Sequence, residues 1–115
     1  MKTLDLILCH KWYDMTLSGE KPEEYREETA HWCSRICKYG KVKRGGRKNV
    51  CNTDCNAQMP SCKASVPTDI THVRLHRGYT NTTTLKKVDS IRRGKGKAEW
   101  GAPGHETFII KYVEQ

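Results

Sequence analysis

The apolar residues of this chain come in short alternating runs, and that spacing restricts it to a small core built mainly from strands. Leu4, Leu6 and Leu8 alternate with Asp5, Ile7 and Cys9, the two-residue period of a strand with one strongly apolar face. Ile70 to His76 alternates again, with Val73 and Leu75 on either side of an outward-reading Arg74, and this strand should end near Arg77-Gly78. Thr82 to Ile91 is rich in β-branched residues, and Phe108 to Val113 reads as a buried closing strand. Between the first two runs, Trp12, Tyr13, Met15 and Leu17 recur at helical spacings, and Gly19 stands where a left-handed cap would end a short helix. Pro22 followed by glutamates suits either a second helix or an edge strand; a short strand through Glu24, Tyr25 and Arg26 is favoured, with Glu24 and Arg26 on one face and Tyr25 on the other.

At 115 residues the chain is one domain, because two independent cores would each be too small to bury enough surface. Strands broken by short helices and turns predict an α+β fold, a small mixed β-barrel of about five or six strands rather than a parallel sheet, for which helices are too few. No stretch approaches a bilayer span and the amino terminus has no signal-peptide core, so the expected compartment is the cytoplasm, with no membrane partner.

Charge is unevenly placed. From Thr29 to Ala98 there are 16 Lys or Arg against three Asp, whereas the two flanks together carry five basic and ten acidic residues. A cationic block of this kind suits a phosphate backbone, and equally a solvated face that keeps a protein in solution. Residues 31–67 read as a Cys-rich, basic insertion within the single domain 1–115: five of the six cysteines lie there, with the basic run Lys38, Lys41, Lys43, Arg44, Arg47 and Lys48 and little apolar periodicity. A structureless loop that long is unusual, so local helices or a metal should organise it. Cys33 and Cys37 are four apart, as are Cys51 and Cys55, and thiols at that spacing share one face of a helical turn. Two such pairs can converge on one structural zinc, with Cys62 and His31 as alternative ligands; disulfides and unbridged thiols are the other readings.

The segment that carries most chemistry is Gly19-Glu20-Lys21-Pro22-Glu23-Glu24-Tyr25-Arg26. A Lys and an Arg facing a carboxylate across a cleft can bind an anion or a polar base edge while the carboxylate holds both cations in place. Lys21 can also serve as base or nucleophile if its pKa is lowered, which burial and Arg26 promote and Glu24 opposes. A charge-rich surface strand with no function is the plain alternative. Glu99 and Trp100, between a Gly-rich approach and Gly101-Ala102-Pro103, are placed at a barrel rim, where Trp100 either stacks a base or plugs the barrel end. Trp12 and Trp32 read as core residues.

At every fixed position this segment resembles the Gly-x-Lys-x-x-Glu-x-Arg pattern of the ASCH domain family, and it follows an opening strand and helix as in that family. The likeness covers the first thirty or so residues and roughly Ile70 to Gln115, leaving the cysteine-rich middle outside. Small stand-alone ASCH proteins of gut bacteria and their phages are similar in Trp12-Tyr13-Asp14-Met15, Glu24-Tyr25-Arg26-Glu27 and Glu99 to Pro103. The resemblance implies a PUA-like barrel that binds RNA or a nucleotide in its cleft, with Lys21, Glu24, Arg26 and Trp100 at the ligand. Phosphates would then fall to Arg74, Arg77, Lys41, Lys43, Arg44, Arg47 and Lys48. It also implies, as an alternative, a hydrolase acting on a modified nucleoside such as acetylated cytidine, or a ribonuclease, with Lys21, Glu24 and Glu99 as catalytic groups. The deacetylating members have a threonine three residues after the motif lysine, where this chain has Glu24. A protein-interaction module is a third reading, to which no residue points directly.

Overall fold

A computed structural model describes residues 2–37 and 65–113 of the chain. Along it run strand β1 (Lys2–Leu8), helix α1 (His10–Leu17), strand β2 (Glu23–Arg26), helix α2 (Ala30–Ile36), strands β3 (Ile70–Arg77) and β4 (Thr83–Gly94), a single 3₁₀ turn (Ala98–Trp100) and strand β5 (Thr107–Tyr112). The five strands form one mixed sheet in the order β1-β3-β4-β5-β2, with β1 and β3 parallel and the other pairs antiparallel. The fold class is α+β, a curled half-barrel with few helices.

The curl has a local cause in β4. Its first half pairs with β3 and its second half with β5, and the register shifts by one residue between Val88 and Ser90. That places Asp89 as an extra, unpaired residue, and a bulge of this kind bends a strand and sharpens its twist. A single long strand therefore serves both halves of the sheet. The ends of the sheet, β1 and β2, are brought close enough for the Arg26 guanidinium on β2 to donate to the Ile7 carbonyl on β1 at 3.1 Å.

The alternation read from the sequence survives in the burial. Leu4, Leu6 and Leu8 of β1 and Ile70, Val73 and Leu75 of β3 are buried while Asp5, Ile7 and Arg74 are exposed. They pack with Ile91, Phe108, Ile110, Tyr112 and Tyr13 in one core cluster. Strand β5 is buried on both faces, and its pairing with β2 sets Glu24 opposite Ile110 and Arg26 opposite Phe108. Directly opposed residues share a face, so Glu24 and Arg26 lie on the core side of the sheet and Glu23 and Tyr25 on the other.

The cysteine-rich stretch begins as a helix, α2, and both of its described ends join the main core: Ile36, Cys37 and Val66 are buried in the same cluster. Lys41, Lys43, Arg44, Arg47, Lys48, Cys51, Cys55 and Cys62 lie outside the described residues. Among the described residues no helix is long and apolar enough to cross a membrane.

On the outer face the connection after β4 lies against Tyr25. Its backbone passes so close that a Cβ on Gly96 would come within 2.2 Å of the Tyr25 ring, and the Lys97 amide donates to the Tyr25 hydroxyl at 3.1 Å. Gly96→Ala should therefore push the connection off the sheet and cost about 1–3 kcal/mol in urea denaturation, the range for overpacking a filled site. Gly104→Ala, whose Cβ would meet nothing within 4 Å, should be near neutral. Equal effects of the two substitutions would show that the close approach does not matter.

Candidate ligand-binding site

The geometry of the charged cluster begins with how α1 ends. The Ser18 amide bonds the Asp14 carbonyl, Gly19 turns at φ 85°, and the Lys21 amide bonds the Met15 carbonyl at 3.1 Å. Glycine accepts this left-handed conformation without the Cβ penalty, so the chain reverses in one residue. Lys21 is thereby aimed inward, and Pro22, which has no amide to leave unpaired, leads into β2 while its carbonyl accepts the Tyr112 amide.

Lys21 is wholly buried, 0 % exposed, which is rare for a lysine unless it is paired. Its ammonium donates to Glu24 Oε2 at 2.7 Å. The other Glu24 oxygen, Oε1, accepts the Tyr25 amide at 3.0 Å and lies 3.4 Å from the Arg26 guanidinium. Arg26 also donates to its neighbour's carbonyl, Tyr25 O, at 2.7 Å, and sits 5.3 Å from the Trp32 ring centroid. Trp12 approaches from the α1 side, 5.5 Å from the Lys21 ammonium. The cluster thus holds two cations and one carboxylate, and both carboxylate oxygens are engaged. Glu24 is an orienting anion here rather than an idle base.

Burial holds the Lys21 pKa below its usual value; Glu24 opposes this through its charge and hydrogen bond, and Arg26 reinforces it. A lysine carries three donor protons, and Glu24 takes one of them. Beside the cluster is a second polar group with unused capacity. The Tyr112 hydroxyl is buried with no hydrogen-bond partner among the described residues. Burial raises its pKa strongly, with Glu24 adding to the rise and Arg26 opposing it. A groove of about 390 Å³ between the end of α1 and the sheet is bounded by Gly19, Lys21, Pro22, Lys86 and Tyr112, within the range of small-ligand pockets.

The structure brings Lys21, Glu24 and Arg26 together as the spacing predicts. Trp100 is half-buried with the Lys97 ammonium 4.5 Å from its ring centroid, and Glu99 is exposed and lies 4.0 Å from the same ammonium. Their turn abuts the site through Trp12, since a Cβ on Gly101 would lie 3.0 Å from the Trp12 indole. Arg74 and Arg77 are placed elsewhere: Arg74 is exposed on the outer face beside Asp5, and Arg77 makes two hydrogen bonds to Asp14. Trp12 and Trp32 pack against the core but are only partly buried, so each offers part of its ring to the surroundings of the cluster. Cys37 is a free thiol in the apolar core, and His31 is exposed with its ring edge-on to Trp32. Among the described residues no three His, Cys, Asp or Glu converge as metal ligands.

Tyr112 is the residue that sequence reading missed. Its signal was a phenol on the same face as Phe108 and Ile110 of the terminal strand, since a buried tyrosine hydroxyl usually finds a partner.

Two outcomes follow from these groups. Between the folded-state pKa of Lys21 and its ordinary 10.5, the unfolded chain binds more protons than the native one, so stability rises with pH across that window. Urea denaturation from about pH 7 to about pH 10 should show the wild type gaining on Lys21→Met, before tyrosine ionisation acts in the opposite sense; parallel pH profiles would contradict the assignment. Tyr112→Phe should stabilise the free protein by about 1 kcal/mol by removing an unsatisfied hydroxyl, and a loss of stability would reveal a native partner. Compared with protein-family models, with curated proteins and with solved structures, the chain matches none.

Proposed function

We propose that the protein is a PUA-like domain of the ASCH type that binds RNA or a nucleotide at Lys21, Glu24 and Arg26. The observation that carries this reading is a fully buried ammonium and a nearly buried guanidinium sharing one carboxylate, next to a buried hydroxyl with no partner among the described residues. Such a cluster has excess positive charge and spare donors in a water-poor setting, where a ligand's anionic or acceptor groups gain most. Partly exposed Trp12 and Trp32 beside the cations supply faces on which a base can stack. The match of Gly19 to Arg26 to the ASCH pattern and the curled mixed sheet agree with it.

Binding of a short RNA, followed by fluorescence anisotropy, should weaken as salt rises and fall at least about tenfold in Lys21→Met. No binding at low salt, or binding indifferent to salt, would sink the proposal.

A second reading, hydrolysis of a modified nucleoside, is favoured by one observation: Lys21 is wholly enclosed and burial lowers its pKa, the direction that a base or nucleophile requires. Release of acetate from acetylated cytidine, abolished in Lys21→Ala, is the expected result. No turnover across a panel of modified nucleosides and RNAs would remove it.

A further inference from the structure

The face of the sheet turned away from the core carries a pattern that the charged cluster does not use. Across β1, β3 and β4 the pairing sets Arg74 between Asp5 and Leu85, His76 between Ile7 and Thr83, and His72 opposite Lys87. Two aliphatic side chains on this face, Ile7 and Leu85, are 51 % and 47 % exposed; Leu6 and Leu8 beside Ile7 are deeply buried, whereas Thr84 and Lys86 beside Leu85 are half-buried. The imidazoles are held by their edges: His76 Nε2 lies 2.9 Å from Asp5 Oδ1, and His72 Nδ1 lies 2.9 Å from Thr71 Oγ1. Arg74 lies 3.5 Å from Asp5 and keeps about half its side chain exposed, and Lys87 is exposed.

From this we infer that the outer face of β1, β3 and β4 is a platform for single-stranded nucleic acid, with His72, His76, Ile7 and Leu85 against bases and Arg74 and Lys87 on phosphates. Imidazoles and aliphatic groups accept the faces of unstacked bases, and open sheet faces suit extended single strands. Charge decides against the other occupants. Residues 38–64 of the chain carry seven Lys or Arg and one Asp, and a second copy brings a further net charge of +8. Neither complements a face whose exposed cations, Arg74, Lys87 and, on adjoining β5, Lys111, outnumber its exposed carboxylates, Asp5 and Asp89. A polyanion does, with counterion release as the driving term.

This goes beyond the proposed function, because it assigns a second surface that reads chain length, on the other side of the sheet from Lys21. The test compares a single-stranded RNA of about ten nucleotides with a mononucleotide, by anisotropy and calorimetry, for wild type and two variants. Arg74→Gln with Lys87→Gln should weaken the oligonucleotide about tenfold and reduce the salt slope by about one to two. Leu85→Asp, acting through a different exposed residue, should weaken it comparably. The mononucleotide should bind both variants within about twofold of wild type, since the Lys21 cluster is untouched. Oligonucleotide affinity unchanged in both variants overturns the inference, as does no oligonucleotide binding by the wild type at low salt. Equal weakening of the mononucleotide overturns it too, by tracing the effect to the cleft, and tighter binding of a polyglutamate peptide than of RNA makes an acidic protein the partner. Lys21→Met separates the two sites: the mononucleotide should be lost, while Arg74→Gln with Lys87→Gln should still weaken the residual oligonucleotide binding in that background, and no further weakening there overturns a second surface.

Discussion

The structure around the site depends on one carboxylate. Glu24 receives the Lys21 ammonium on one oxygen and the Tyr25 amide on the other, with the Arg26 guanidinium close by. A buried ammonium without such a partner would have to lose its proton or remain in water, so Lys21 can be wholly enclosed only because Glu24 is there. Removing one member of a buried pair leaves the other uncompensated. For that reason the spacing of three residues between Lys21 and Glu24 is a structural requirement as much as a chemical one.

The same cluster ties local chemistry to the architecture. Arg26, next to Glu24, reaches from the last strand in the sheet order to the Ile7 carbonyl on the first, across the opening of the half-barrel. The bulge at Asp89 bends β4 enough to bring those two edges together. Gly19 aims Lys21 into the space enclosed between them. Backbone geometry, sheet curvature and charge placement thus converge on one small region, lined by Trp12 and Trp32 and by the buried Tyr112 hydroxyl.

Much of this was legible in the residues. The alternation of Leu4, Leu6 and Leu8, and of Val73 and Leu75, showed strands and their buried faces because a two-residue period leaves one orientation that hides the apolar side. Gly19 marked the end of α1, and the strand choice after Pro22 separated Glu24 and Arg26 from Tyr25 correctly. Other features depend on contacts far apart in sequence and leave no local mark. The parallel pairing of β1 with β3, the Arg26 bridge to Ile7 and the burial of the Tyr112 hydroxyl beside the charged cluster are of this kind. Trp12 and Trp32 read as core residues in the sequence, yet each packs one part on the core and keeps another beside a cation, as an amphipathic ring can.

The central claim is that Lys21 is the contact point for a ligand rather than a buried structural charge. Its ε-carbon, observed by NMR in lysine-labelled protein and assigned through Lys21→Met, reports the ammonium directly. Addition of a short RNA or nucleotide should shift this resonance and raise its titration midpoint, because a bound anion stabilises the charged form. A Lys21 signal unmoved in position and midpoint, while the resonances of exposed lysines shift, would contradict the account.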